Sequence, residues 1–73
     1  MEERSPLEIE GMAMVGLVAR YRVEPCGRGK VRIVVTTTNG EEYATPCIDL
    51  EEAKLVEKHV EFYTEGPGVS VWR

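Results

Sequence analysis

Glutamine is absent from this 73-residue chain, Asn39 is its one asparagine and His59 its one histidine. Depleted amides beside 30% charged residues are the compositional habit of thermophile proteins. With a single histidine, any Ser-His or Cys-His mechanism has to run through His59. His59 falls in the apolar arc of a helical pattern, where a packed or capping role is expected over a catalytic base. Cys26 and Cys47 show no C-x-x-C spacing, and with His59 they supply at most three soft ligands, short of a closed zinc site. The longest apolar run, "AMVGLVA" at 13–19, falls well below the roughly 18 residues of a membrane-spanning helix. The amino terminus, "MEERSPLE", is acidic where a secretory leader is basic, so a cytoplasmic location is expected. "CGRGK" at 26–30 lacks the spacing of a phosphate loop and precedes a strand, so it reads as a turn. No catalytic residue, metal site or cofactor is expected, and the chain reads as a non-enzyme.

What is present is alternation. From Leu7 to Val23 the odd positions are almost all apolar, which predicts a strand at 12–24 with Gly11 and Gly16 marking a start or bend. "EPCGRGK" is turn chemistry, and a second strand follows at 30–38. Centring that hairpin on Gly27 sets Val23 opposite Val31 and Tyr21 opposite Ile33 on the inner face. It also sets Arg22 opposite Arg32 on the outer face. Asn39-Gly40 predicts a tight hairpin into a third strand at 41–47, with Tyr43 facing outward and Pro46 at a strand edge or end. Asp49 and Glu52 mark the start of an amphipathic helix at 49–64, with Ala53, Val56, Val60 and Tyr63 on its buried stripe and Leu55, His59 and Phe62 flanking it. Gly66-Pro67-Gly68 ends it, and residues 69–73 form a last strand parallel to the first. Residues 1–10 form an acidic arm or short strand. One small domain spans 1–73, an α+β fold of order β-β-β-α-β: a three-stranded antiparallel meander, one helix on its inner face and a short terminal strand.

Charge is distributed unevenly over this frame. The formal net charge is −4, yet five of the nine basic residues, Arg20, Arg22, Arg28, Lys30 and Arg32, lie within 20–32, where Glu24 is the one acid. The register forces most of them onto the outer face with Tyr43 and possible apolar neighbours Met12, Met14, Val18 and Trp72. Like charges directly opposite one another destabilise a sheet unless something neutralises them.

Two neutralising partners fit. A protein surface, acidic or a second copy of the chain, makes this a protein-association module, a homodimer in its simplest form. Phosphates make it a nucleic-acid-binding module. The stretch "GRGKVRIVVTTTNGEEYATPCIDLEEAKLVEKHV" is similar, in order of elements, to the AP2 and integrase N-terminal DNA-binding domains, in which a three-stranded sheet backed by one helix enters the major groove. "IDLEEA" looks like the start of the helix in those domains. No small-molecule ligand and no membrane partner is expected. The candidate binding residues are Arg20, Arg22, Arg28, Lys30, Arg32, Tyr43 and Trp72. In this register Cys26 and Cys47 share one end of the sheet, either as a disulfide or as two reduced thiols.

Overall fold

A serine followed by a proline defines the first helix. In the computed structural model, which describes residues 1–64 and the strand Gly68–Val69, the segment Pro6–Met14 is α-helical. Ser5 caps it: its Oγ accepts from the Glu8 N–H and donates to the Glu8 carboxylate, both at 3.2 Å. Pro6 sits at the helix start, where its missing N–H has no partner to lose. The far end closes in a Schellman motif, with Gly16 at φ +79°. Gly16 N–H donates to Ala13 O and Leu17 N–H to Met12 O, both at 3.0 Å. The strand expected from residue 12 therefore begins only at Val18, and Ile9 and Ala13 are buried as a helical i, i+4 pair.

In chain order the elements are β1 (Glu2–Glu3), α1 (Pro6–Met14), β2 (Val18–Gly27), β3 (Lys30–Thr37), β4 (Glu42–Ala44), β5 (Ile48–Asp49), α2 (Leu50–Tyr63) and β6 (Gly68–Val69). The sheet is ordered β1-β4-β3-β2-β6, with β5 also paired to β3. The β2–β3–β4 meander is antiparallel, while β1 lies parallel to β4 and β6 parallel to β2. The domain is thus α+β, with the longer helix after the meander as expected, a second helix ahead of it and a mixed sheet. The terminal strand runs parallel to the first meander strand; the rest of the expected 69–73 strand lies outside the described residues. Each helix links parallel strands, α1 from β1 to β2 and α2 from β5 to β6. Both crossovers step the same way across the sheet, so right-handed connections place both helices on one face. Ile9 and Ala13 of α1, Tyr21, Val23, Ile33 and Val35 of the sheet, and Ala53, Val56 and Val60 of α2 share a single core. Glu57 is buried at its margin, where its carboxylate accepts from the Tyr21 hydroxyl at 3.2 Å.

Bulges and turns set which side chains face that core. Between Val18↔Thr37 and Arg20↔Thr36 the ladder skips Ala19, so Val18 is 6% exposed and Leu17 47%. Val18, expected outside, is therefore inside. In the first hairpin Gly27↔Lys30 closes a two-residue turn, Arg28-Gly29, with φ of +56° and +74°, the primed geometry that matches strand twist. A bulge at Cys26, between Pro25↔Val31 and Gly27↔Lys30, shifts the ladder by one, so that Val23 faces Ile33 and Tyr21 faces Val35. That register differs by two from one centred on Gly27, and an even slip keeps every side chain on its face. It does exchange the outer neighbours: Glu24 stands opposite Arg32, and Arg22 opposite Val34.

The second hairpin slips by one, with larger effect. Thr38 N–H donates to Leu17 O at 2.9 Å, which draws Thr38 out of the hairpin ladder. The loop becomes Thr38-Asn39-Gly40, with Gly40 at φ +89° and Thr37 N–H donating to Glu41 O at 2.7 Å. An odd slip turns a strand over. Tyr43 pairs with Val35 on the helix side, and Ala44, paired with Val34, turns to the open face. The strand ends at Ala44, before Pro46. Thr45, 1% exposed, replaces the interrupted ladder: Ile33 N–H donates to its Oγ1 at 3.0 Å, and its own N–H donates to Ile33 O at 2.9 Å. Cys47 follows this kink and is joined to Cys26 by a disulfide, Cα to Cα 6.0 Å.

Candidate functional site

The open face of the sheet carries Arg20, Arg22 and Arg32, and it carries their counter-charges. Arg22 Nε lies 2.6 Å from Glu24 Oε2, and its Nη1 lies 3.2 Å from Glu42 Oε2. Arg32 grips the other Glu24 oxygen with Nε at 3.0 Å and Nη2 at 2.8 Å. One carboxylate thus bridges two guanidinium groups, a charge-assisted arrangement stronger than a simple surface pair. Hydrogen bonds from Arg22 and then Arg32 hold Glu24 below the usual carboxylate range, and Glu24 followed by Glu42 raises Arg22. At the edge, Lys30 Nζ is 3.3 Å from Asp49 Oδ1. Asp49 holds the N-cap position of α2 by its backbone, but its side chain makes no capping bond. Among the described residues, Arg20 and Arg28 form no salt bridge.

The predicted site therefore divides. Arg22 and Arg32 come together, joined by Glu24 and by Glu42, whose arrival from β4 depends on the one-residue slip. Lys30 and Arg28 sit at the hairpin end, and Arg20 at the other end of β2. Tyr43 is not on this face. It packs against the core on the helix side, beneath the Arg4 guanidinium at 5.3 Å from the ring centroid. Glu41 beside it pushes its phenol up. Met12 is likewise on the helix side, partly buried against the core, and Met14 is exposed on α1. Trp72 lies outside the described residues.

The helix layer holds what sequence reasoning missed. His59, expected to be packed, is 57% exposed, and its Nδ1 lies 3.0 Å from Glu10 Oε1, bridging α2 to α1. Glu10 is flanked along α1 by Leu7 and Met14, and His59 along α2 by Leu55 and Phe62; residues three or four apart share a helix face. These four apolar side chains are exposed by 77%, 60%, 63% and 81% respectively. Tyr63, expected on the buried stripe, is 42% exposed and meets the Phe62 ring edge-on at 5.0 Å. The buried stripe is narrower than the apolar pattern because α1 and the sheet cover only Ala53, Val56, Glu57 and Val60. The capping signal Ser5-Pro6-x-Glu8 and the stop at Gly16 would have revealed α1, and with it a second apolar stripe beside the first.

Other chemistry is sparse. Among the described residues no group of three His, Cys, Asp or Glu side chains is placed to hold a metal ion. A depression of about 180 Å³ opens between Met12, Leu17, Thr38, Asn39 and Tyr43, below the volume of a usual small-molecule site. No described helix is long and apolar enough to cross a membrane. Compared with protein families, curated proteins and solved structures, the chain matches none. The mixed sheet and paired helices also differ from the antiparallel sheet and single helix of the AP2-like arrangement.

Proposed function

We propose that this chain is a small non-enzymatic protein-association module that associates through its helix layer. One observation carries the proposal: Leu7, Met14, Leu55 and Phe62 are all more than half exposed on two adjoining helices. Large apolar side chains gathered in this way favour contact with another surface, each stabilising by about 2 kcal/mol when fully buried. The sheet face makes a weaker demand for a partner, since Glu24 and Glu42 already neutralise Arg22 and Arg32. Self-association and capture of a different chain are both forms of such a module. A cytoplasmic setting, read from the acidic amino terminus, belongs to the same proposal, and the Cys26–Cys47 disulfide is compatible with it as in intracellular hyperthermophile proteins.

Nucleic-acid binding is the second reading, favoured by Arg20 and Arg28, which lack salt bridges among the described residues. Molecular mass by light scattering, at low and high salt and with duplex DNA, separates the two. A mass above the monomer that ignores DNA and falls on Leu55→Ser/Phe62→Ser substitution supports association. A monomer that gains mass with DNA at low salt, and loses the gain in Arg20→Ala/Arg28→Ala, overturns it.

A further inference from the structure

We infer that the helix layer accepts an amphipathic helix with basic flanks, supplied by a different chain. This rests on the association proposal and adds the chemistry of the partner. Leu7 and Met14 are seven residues apart on α1, and so are Leu55 and Phe62 on α2. Seven residues is two turns, about 10.5 Å, the spacing at which a docked helix presents its own anchors. The two stripes form an exposed apolar face on the adjoining helices. The Glu10–His59 bridge joins the helices between the stripes, and Gly11 lies on the far side of Leu7 from that bridge, where a Cβ would find no neighbour within 4 Å. A glycine inside a helix weakens it, and no packing in the folded chain requires this one.

Charge selects the class of that partner. Around this apolar face the helices expose Glu8, Glu51, Glu52 and Glu61 against Lys54 and Lys58, with Arg4 3.8 Å from Glu8, so the surround keeps an acidic balance. A second copy docked through the same face would bring carboxylates against carboxylates. A helix with a leucine stripe flanked by lysine or arginine meets both the centre and the frame.

The test uses the full chain and a fluorescein-labelled synthetic Leu/Lys amphipathic peptide of about 18 residues, a length that forms several helical turns. A scrambled Leu/Lys peptide and a Leu/Glu counterpart serve as controls, and anisotropy reports binding. The expected result is saturable binding of the Leu/Lys peptide, none of the Leu/Glu peptide, and weakening by about tenfold or more in Leu55→Ser/Phe62→Ser. The wild-type complex should also weaken at roughly 0.5 M salt, as charge is screened. The replaced side chains are exposed, and an unchanged circular-dichroism melt verifies that the variant is folded. Equal binding of the scrambled peptide, or unchanged affinity in the variant, overturns the inference by showing adhesion to charge alone. If no peptide binds but the chain is a dimer that the variant dissociates, the inference fails and the association proposal stands with a second copy as occupant. If no peptide binds and the chain is a monomer, both fail.

Discussion

Gly11 lies inside α1 and Gly16 just past its end, and backbone geometry separates them. Gly16 takes φ +79° to turn the chain out of α1, a region where a Cβ meets the following carbonyl. Gly11 sits inside the helix with nothing within 4 Å of an added Cβ. Gly16→Ala should lower stability by about 1 kcal/mol, and Gly11→Ala should raise it by about 0.5–1 kcal/mol through reduced chain entropy. Urea unfolding of the two variants beside the parent gives the signs directly. Equal effects would mean that α1 does not end as described.

At the scale of the element, the β2–β3 hairpin shows how an acidic residue makes an arginine-rich sheet face self-sufficient. Glu24 accepts from Arg22 on its own strand and from Arg32 across the ladder, and is held low in the folded chain. A lowered carboxylate contributes fully above its unfolded value, near 4.5, and loses that contribution as pH falls below it. Glu24→Gln should therefore cost on the order of 0.5–1 kcal/mol at neutral pH, a modest figure because the pairs are partly solvated. The gap from the parent should close as pH falls from about 5 toward about 3, as protonation of Glu24 leaves the parent uncharged at this position, as the variant already is. Thermal melts across that range check it, and a gap independent of pH would assign the effect to packing instead.

The whole molecule is small enough for one cross-link to matter. A domain of this size buries only about 60% of the surface its unfolded chain exposes. The Cys26–Cys47 disulfide spans 21 residues and straps the end of the first hairpin to the kink that leads into β5 and α2. Replacing both cysteines by serine should lower stability by about 3 kcal/mol. Melting the parent with and without reductant should reproduce that loss, and a loss below about 1 kcal/mol would mean that the unfolded chain is already constrained there. The strap and the core under the helices stabilise the chain from within. Leu55 and Phe62 lie outside that core, 63% and 81% exposed, which is why substitutions there can test association without unfolding the protein.

The sequence by itself determined the α+β class, the inner faces of β2 and β3 from Tyr21 to Val35, the helix from Asp49 and the parallel return of the chain. Those are consequences of local periodicity and capping, and an even slip in register leaves them intact. Tertiary structure decided the rest. The Ala19 bulge brought Val18 inside, the bond from Thr38 to Leu17 turned Tyr43 inward, and the same slip brought Glu42 to Arg22. It also paired two cysteines whose spacing left both oxidation states open. Alternation over 7–17 fits a strand as well as it fits α1, and only the caps at Ser5 and Gly16 separate the two. The exposed helix face was half legible: the stripe of α2 lay in its sequence, but which part of it stayed exposed depended on how α1 packed beside it. Each of these outcomes rests on contacts between residues distant in the chain, whose distances no local pattern encodes.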